Sequence, residues 1–256
     1  MLSKAGLKRV QALKRRRTRA EKAQFLAEGV RVVEDLLASS IVPQLALIAP
    51  SLEDTPRGAA LARRLRGAMR AEQVEEHVLA GIAGTEAPQG VVVVADIPHA
   101  SLAALELASR ALLVLLDAVQ DPGNFGTIVR TADAFGAAAV IVLPGTVDPW
   151  NAKAVRAAAG SSLRLPIIES DVEAAAKYLH THRVVLYGAD TSGQSIENVE
   201  PAARVAVALG NEGAGLTQAV RAACDELVAV PIRGTAESLN VAVAAGILLY
   251  MMARTS

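Results

Sequence analysis

The chain has only one cysteine, Cys224, among its 256 residues. A single cysteine excludes a fold held by internal disulfides and is typical of proteins of the reducing cytoplasm, so we interpret Cys224 as a buried, unreactive thiol. No apolar stretch approaches the roughly 20 uncharged residues that a membrane-spanning helix needs. The first residues carry charge without a following apolar core, so no secretory peptide is expected.

The signatures of several common active sites are also missing. The four histidines have no metal-ligand companions, so no metal is expected, and we interpret His180 and His182 as surface residues. There is no G-x-S-x-G nucleophile elbow and no G-K-[S/T] phosphate loop. A dinucleotide-binding G-x-G-x-x-G fails at its last position, which is Gln218. With 52% apolar residues and no excess of glycine or proline, the chain is globular rather than disordered or fibrous.

The net charge is zero, but the charges are unevenly distributed along the chain. Residues 1–31 contain ten lysines or arginines and two glutamates, a net charge of +8, so the remaining residues sum to −8. A basic segment on an otherwise acidic protein favours binding of a polyanion at one place, with a solvated helix face as the alternative. The basic run 14–17 favours the polyanion, because neighbouring like charges destabilise a helix.

The pattern of apolar residues divides the chain into two regions, each able to bury a core. Residues 1–98 form a basic helical start followed by alternating elements, and residues 99–110 form a linker. In the first region we predict strands and a helix separated by turn-rich segments. The predicted strands are 45–48, 74–79 and 91–95, the helix is 57–70 and a loop spans 84–90.

From residue 111 onward, apolar strands alternate with helices, which predicts an α/β domain with a parallel sheet covered on both faces. The predicted strands are 111–116, 139–143, 164–168, 183–187, 204–209 and 226–230. The predicted helices are 124–136, 151–160, 171–181, 216–223 and 238–254. Ligands of such sheets bind in the loops beyond the carboxyl ends of the strands. Those loops are 117–124, 144–150, 188–195, 210–215 and 231–238.

The loop after the first of these strands combines polar and small residues and leads into a helix that carries Arg130. Asn124 is placed to cap this helix. Arg130 follows six residues later, so both side chains can face the same end of the sheet. An arginine among apolar helix residues is costly to bury without an anionic partner, which is either a ligand or a salt bridge to Asp121 or Asp133.

Two later loops have the same character. Residues 210–216 (G-N-E-G-A-G-L) follow a strand directly, and their glycines allow a ligand to approach the backbone closely. Residues 230–241 open the last helix, where Ser238 is the expected N-cap and Asn240 has less structural reason to be present. Between these regions, Trp150 either stacks on a nucleic-acid base or anchors its own loop.

Taken together, these three loops resemble the three motifs of the SpoU/TrmH family of RNA ribose methyltransferases, within the SPOUT superfamily. The motifs are D-P-G-N-F-G at 121–126 with Arg130, L-G-N-E-G-A-G-L at 209–216, and V-P-I at 230–232 with S-L-N-V-A-V-A at 238–244. Ala242 stands where relatives often have serine, and the intact Ser238 and Asn240 beside it predict no loss of function. The resemblance covers residues 111–256.

The amino-terminal region is similar, more loosely, to the substrate-binding domain that often precedes this catalytic domain and resembles small ribosomal RNA-binding proteins. The similarity is carried by F-L-A-E-G at 25–29 and by T-x-x-P-Q-G at 85–90. It implies a small α/β RNA-binding domain and favours ribosomal RNA over transfer RNA.

The resemblance implies a deep trefoil knot at the carboxyl end of the sheet, an exception to the rule that chains do not thread loops. The second and third motifs would form the knot, and S-adenosylmethionine would bind in it through Gly210, Val230, Ile232 and Leu239. Family members are homodimers with the active site at the interface, so the last helix and helix 124–136 are expected to be buried there.

The reaction implied is methyl transfer from S-adenosylmethionine to a ribose 2′-hydroxyl of structured RNA. The resemblance assigns removal of the hydroxyl proton to Arg130, which otherwise orients a phosphate. Asn124 and Glu212 would shape the site, while Ser238 and Asn240 would position the hydroxyl and the backbone. The alternatives are the same reaction on transfer RNA, a non-catalytic RNA-binding protein of this fold, and a doubly wound oxidoreductase with a nucleotide cofactor.

Overall fold

The computed structural model describes residues 3–85 and 88–254, so Glu86 and Ala87 of the predicted loop 84–90 lie outside the described residues. The α-helices are α1 (Lys4–Ala12), α2 (Arg16–Lys22), α3 (Val30–Ala38), α4 (Pro56–Ala68), α5 (Glu76–Ile82), α6 (Pro122–Ala134), α7 (Ala152–Ala157), α8 (Val172–Thr181), α9 (Gln218–Ala223) and α10 (Val241–Ala253). The strands are β1 (Gln24–Glu28), β2 (Pro43–Ile48), β3 (Ala71–Gln73), β4 (Val91–Asp96), β5 (Ala111–Leu116), β6 (Ala139–Val142), β7 (Ile167–Glu169), β8 (Val185–Ser195), β9 (Arg204–Leu209) and β10 (Glu226–Ala229).

The chain forms two compact units. The first contains Met1–His99 together with Asp148–Leu163, and the second contains Ala100–Val147 and Arg164–Ser256. Helix α7 therefore packs with the amino-terminal unit, although its sequence lies between elements of the second unit. Within the described residues, no helix is both long enough and apolar enough to cross a bilayer.

The first unit is built on a four-stranded sheet of order β1-β4-β2-β3, in which only β2 and β3 run parallel. Its central strand β4 is apolar along its length because both faces of the sheet are covered. On one face, Val91 and Val93 pack against α3, α4 and α7. On the other face, Val92 and Val94 pack against α1 and α5.

The sequence pattern was wrong at the predicted strand 74–79, which is mostly helix α5, and β3 lies just before it. Val78 and Ile82 of α5 are four residues apart, the spacing of one helix face, and both pack on the core beside Leu79, while Val74 packs on it from the segment before the helix. The basic helical start is likewise interrupted. Strand β1 follows α2 directly, and the first residues of the basic run 14–17 form the turn between α1 and α2.

The segment Asp148–Leu163 is held within the first unit by buried contacts. Trp150 is a loop anchor: its ring is buried and lies 4.8 Å from that of Phe25. Arg19 is also buried, forming an ion pair with Asp148 and donating a 2.7 Å hydrogen bond to the carbonyl of Leu13. Of the ten cations in residues 1–31, Arg19 therefore has a structural role, whereas the other nine are exposed.

The second unit is built on a six-stranded parallel sheet, as predicted, with strand order β10-β8-β9-β5-β6-β7. All six residues of β5 are buried, which explains its continuous apolar sequence. Leu113 and Leu115 face a core that includes residues of α8 and α9. Helices α6 and α10 pack against each other, and α10 also contacts β9.

One predicted strand and one predicted loop of this unit differ from the structure. The segment 164–168 was placed too early, because a 3-10 turn at Ser161–Leu163 precedes β7 at Ile167–Glu169. The predicted loop 188–195 is instead the second half of the long strand β8, which pairs with β10 after a register shift. Its polar residues resemble a loop, but a Cβ at Gly193 would lie 2.5 Å from the backbone of Leu227, so glycine allows the strands to pair.

Candidate active site

The loops after β5 and β9 lie side by side, because these two strands are neighbours in the sheet. The backbone N–H of Asp117 donates to the carbonyl of Leu209 over 2.9 Å. The Asp117 side chain is buried and accepts a 2.6 Å hydrogen bond from the N–H of Thr217. Asp117 thus ties the first motif to the second, a role that our sequence reasoning missed although a polar residue directly after a buried strand is a recognisable signal.

The first motif begins helix α6 with Asp121 as its N-cap, and not with Asn124 as predicted. The Asp121 carboxylate accepts a 2.8 Å hydrogen bond from the backbone N–H of Asn124, while Pro122 occupies the first turn. Because Asp121 provides the cap, the side-chain amide of Asn124 is available for other contacts.

A hydrogen-bonded chain of three side chains links the three motifs. The Asn124 amide donates to Glu212 over 3.0 Å, and its oxygen accepts from the Asn240 amide over 3.0 Å. Glu212 also accepts hydrogen bonds from the backbone N–H groups of Gln120 and Asp121, at 3.2 and 3.1 Å. The network Asn240–Asn124–Glu212 therefore brings together three of the predicted site residues.

Glu212 is held ionised within this network. Partial burial opposes its charge, but the hydrogen bonds from Asn124 and from the backbone at Asp121 and Gln120 outweigh that effect and lower the pKa of the carboxyl group. A carboxylate that accepts from both the first-motif backbone and Asn124 fixes the position of that loop relative to residues 210–215.

The third motif begins helix α10 at Asn240, so the predicted cap Ser238 was wrong. The Asn240 side-chain oxygen accepts hydrogen bonds from the N–H groups of Ala242 and Val243, at 2.9 and 3.3 Å. Asn240 thus has the structural role that the sequence did not suggest, in addition to its contact with Asn124. Ser238 is exposed and lies two residues before the N-cap Asn240.

Arg130 lies on α6, six residues and under two turns after Asn124, with its side chain exposed. In the described part of the chain it forms neither of the predicted salt bridges, and Asp133 instead pairs with Arg164 over 2.8 Å. Arg130 is therefore an exposed cation and not a buried one, and no hydrogen bond joins it to the Asn240–Asn124–Glu212 network within the described residues.

A cleft of about 340 Å³ opens beside this network at the carboxyl ends of β9 and β10 and next to the middle of β8. Its apolar wall includes Val228 and Leu248. It is also lined by the four residues expected to bind a cofactor and by Glu212 and Ser238 of the expected catalytic set. The four are Gly210, Val230, Ile232 and Leu239.

The second motif forms a tight backbone loop on one side of the cleft. Asn211 and Gly215 exchange two backbone hydrogen bonds of 2.9 Å, and the Asn211 side-chain oxygen accepts from the N–H groups of Gly213 and Ala214. A Cβ at Gly210 would lie 2.2 Å from the carbonyl carbon of Gly215, so no other residue fits without moving this loop. Asn211, which we did not place in the site, is thus the residue that closes the loop.

Asp190 is a further cleft residue, which the sequence reasoning did not name although its segment 188–195 was among the loops expected to bind a ligand. It forms an ion pair with Arg221 and accepts hydrogen bonds from the N–H and hydroxyl of Ser192, at 2.8 and 2.6 Å. Burial opposes its ionisation, yet these contacts lower the pKa of the Asp190 carboxyl group. Asp190 is thus an ionised carboxylate at the cleft whose charge is compensated by Arg221.

Cys224, His180 and His182 were interpreted from the sequence as having no chemical role, and the structure shows what surrounds each of them. Burial raises the pKa of the Cys224 thiol to about 11, and its sulfur donates to the carbonyl of Val220. His180 is exposed, whereas the half-buried His182 stacks on Tyr178 with ring centroids 4.1 Å apart. Across the described residues, no three histidine, cysteine or acidic side chains group as a metal site.

The sheet and the cleft define an α/β protein that binds a small molecule beyond the carboxyl ends of its strands. Residues 111–250 match the model of the SpoU rRNA methylase family, and residues 4–93 match that of the MRM3-like substrate binding domain. The first match covers more than half of the chain. The chain therefore belongs to the SpoU rRNA methylase family.

Relatives of similar length support this assignment. The chain is 34% identical over 253 residues to the 23S rRNA (guanosine(2553)-2'-O)-methyltransferase RlmP of Bacillus subtilis, with 97% of each chain covered. It is 33% identical over 250 residues to the 23S rRNA (uridine(2479)-2'-O)-methyltransferase of Streptomyces viridochromogenes, covering 93% of this chain and 85% of the relative. The crystal structure of the SpoU methyltransferase AviRb from Streptomyces viridochromogenes in complex with AdoMet matches with a TM-score of 0.90 at 30% identity, covering 98% of both chains.

Proposed function

We propose that this protein transfers the methyl group of S-adenosylmethionine to a ribose 2′-hydroxyl of ribosomal RNA. The observation that carries the proposal is the Asn240–Asn124–Glu212 network, which joins the three family motifs beside a cleft of about 340 Å³. Ribosomal RNA is favoured over transfer RNA because the relatives that cover nearly the whole chain are named for 23S rRNA.

The cleft fits S-adenosylmethionine in size and in chemistry. Its volume falls at the lower end of the roughly 300–1,000 Å³ found for small-molecule sites. Val230 and Leu248 offer an apolar wall for an adenine ring, and Gly210 leaves the backbone open to close approach. We assign cofactor binding to Gly210, Val230, Ile232 and Leu239, as the family resemblance implies.

Replacing Gly210 with alanine is expected to weaken S-adenosylmethionine binding at least tenfold, measured by isothermal titration calorimetry. The new Cβ would lie 2.2 Å from the Gly215 backbone, so the loop has to move out of its place in the cleft. Gly234→Ala is the matched control, because a Cβ at Gly234 meets nothing within 4 Å. Equal affinities for the two variants would contradict the assigned binding role of the 210–215 loop.

S-adenosylmethionine supplies an activated methyl group, so the chain itself has to position the ribose and manage the hydroxyl proton. An arginine stays protonated in proteins, and therefore Arg130 acts through its charge. We propose that it holds an RNA phosphate, which accepts the proton, and that it stabilises the negative charge that develops on the hydroxyl oxygen. Asn124 and Glu212 shape the site, while Ser238 and Asn240 position the hydroxyl and the local backbone.

The first unit binds the RNA in this proposal, with residues 1–98 as the substrate-binding domain, 99–110 as the linker and 111–256 as the methyltransferase domain. Nine exposed cations within residues 1–31 support this role. We expect RNA affinity to fall steeply as salt rises. Filter binding at several salt concentrations should show that Arg15→Ala and Lys22→Ala each flatten the log–log salt dependence by about one unit. Unchanged slopes would place the RNA elsewhere.

We further propose that the carboxyl-terminal part is knotted and that the protein is a homodimer of the cytoplasm. After β9 the chain runs to the edge strand β10 and then returns as helix α10, which packs on α6. This path supports the knot. Val243, Ile247 and Tyr250 support the dimer, because they are 52%, 36% and 53% exposed and follow one face of α10. Sedimentation equilibrium of the purified chain tests the dimer directly.

The reaction is tested by incubating the protein with tritiated S-adenosylmethionine and separate pools of unmodified ribosomal and transfer RNA. The products are then digested to nucleosides. Label on a 2′-O-methyl nucleoside from ribosomal RNA supports the proposal, and label from transfer RNA alone changes the substrate. Label on a base overturns the chemistry, whereas RNA binding without any label supports a non-catalytic RNA-binding protein.

A further inference from the structure

A second cavity, of about 230 Å³, lies within the first unit and takes no part in the proposed chemistry. Glu28 at the end of β1 and Arg156 of α7 both line it, together with Val32 of α3. The Glu28 side chain is only 2% exposed, which is rare for an acidic residue and needs a compensating set of contacts.

Only one of the two carboxylate oxygens of Glu28 has such contacts. Oε2 accepts hydrogen bonds from the backbone N–H of Gly84 at 2.9 Å and from Nη1 of Arg156 at 2.8 Å. Oε1 is buried and has no hydrogen-bond partner among the described residues. A buried acceptor without a partner is costly, so a site that retains one is suited to a ligand that supplies the missing donor.

The other walls of the cavity restrict what that ligand can be. The guanidinium of Arg156 is fixed by Glu28 and by the Gly84 carbonyl, and such a plane stacks well on a flat ring. Val32 adds an apolar surface, and the exposed Arg31 at the edge offers a positive charge to a phosphate. A phosphate does not suit the interior, because the unpartnered atom is itself an acceptor. The volume is below the roughly 300 Å³ of sites for drug-sized ligands, which suits one flat nucleobase.

We infer that this cavity binds one unpaired nucleobase of the RNA substrate, which donates an N–H to Oε1 of Glu28 and stacks on Arg156. The inference rests on the proposed function in that it requires an RNA ligand. Recognition of bases that are splayed out of single-stranded RNA uses this combination of stacking and edge hydrogen bonds. The cavity would thus select the RNA through a nucleotide other than the one that is methylated.

The test uses fluorescence anisotropy with the full chain and nine-nucleotide RNAs in which one central base is flanked by N3-methyluridines, which have no N–H on the ring. The central base is adenine, guanine or N6,N6-dimethyladenine, which lacks the amino donor. We expect the wild-type protein to bind the adenine and guanine RNAs about tenfold more tightly than the dimethyladenine RNA. Adenine and guanine differ in their donors, so the two affinities also show which edge is preferred.

Glu28→Gln should abolish this preference, because the amide can keep its oxygen towards Gly84 and Arg156 and present a donor at the Oε1 position. Glu34→Gln is the matched control, since Glu34 on α3 pairs with Arg57 outside the cavity. Val32→Met, which fills the cavity and leaves Glu28 unchanged, should weaken the adenine and guanine RNAs alone, so the test does not depend on folding of the Glu28 variant.

Equal binding of all three RNAs by the wild-type protein, no binding of any of them, or a preference that survives Glu28→Gln would overturn the inference. Methylation of ribosomal RNA in the tritium assay would still support the proposed function in each of these cases. Failure of that assay together with a Glu28-dependent base preference would instead retain the cavity and reject the reaction.

Discussion

Arg130→Ala is expected to lower the single-turnover rate of methyl transfer by about 10²–10³-fold at saturating RNA, the range typical of a lost group that stabilises developing negative charge. Arg130 is exposed on α6 and forms no ion pair among the described residues, so its removal leaves no buried charge uncompensated. The loss should therefore appear in the chemical step and not in the thermal stability. Arg130→Lys should recover only part of the rate, because an ammonium lacks the two-pronged geometry that grips a phosphate.

Arg164→Ala is the matched control for this experiment. Arg164 is also exposed in the same unit, and it pairs with Asp133 on the helix that carries Arg130. We expect this variant to keep nearly the wild-type rate, and both variants to bind S-adenosylmethionine with unchanged affinity. Near-normal turnover by Arg130→Ala at saturating RNA would contradict the proposed mechanism but not the fold or the cofactor assignment.

The strands of the second unit were largely predictable because a parallel sheet covered on both faces needs continuous apolar segments. Strands β5 and β9 begin and end where the sequence pattern placed them. The pattern failed where a strand is only partly buried, as in the polar second half of β8. It failed also at 74–79, where a short apolar segment fits a strand and a helix equally well, and packing on the core decides for α5.

The identity of the site residues was predictable from the motifs, but their contacts were not. At both helix starts two polar residues compete for the cap, Asp121 with Asn124 and Ser238 with Asn240, and local sequence does not determine which backbone N–H each side chain reaches. The hydrogen bond between Asn240 and Asn124 spans 116 positions in sequence. It depends on α10 returning to pack on α6, which is a property of the whole topology.

In the basic amino-terminal segment, too, the sequence gives the charge of each residue but not its contacts. Counting residues assigns ten cations to one polyanion-binding surface, yet Arg19 points into the first unit and pairs with Asp148. A buried arginine and an exposed one have the same formal charge, and only packing separates their roles. The two classes should therefore respond differently to substitution, with exposed cations affecting RNA affinity and Arg19 affecting stability.

Arg19→Met is accordingly expected to lower the free energy of unfolding of the first unit by about 3 kcal/mol, because it leaves the Asp148 carboxylate buried without its partner. The double variant Arg19→Met with Asp148→Leu should recover most of that loss, since apolar residues replace both buried charges. Arg17→Ala is the matched control: Arg17 is exposed and pairs with Glu21 four residues away, an interaction worth less than about 1 kcal/mol.

The unfolding of these variants can be followed by the fluorescence of Trp150, the single tryptophan of the chain. Trp150 lies two residues after Asp148 and packs on Phe25. Its fluorescence in urea titrations therefore follows the first unit, including the segment Asp148–Leu163. If the Arg19→Met protein unfolds at the same urea concentration as the wild-type protein, the ion pair does not hold this segment. A loss that the double variant fails to recover would instead assign the stability to the two hydrogen bonds that this variant also removes, from Arg19 to the carbonyl of Leu13 and from the N–H of Trp150 to Asp148.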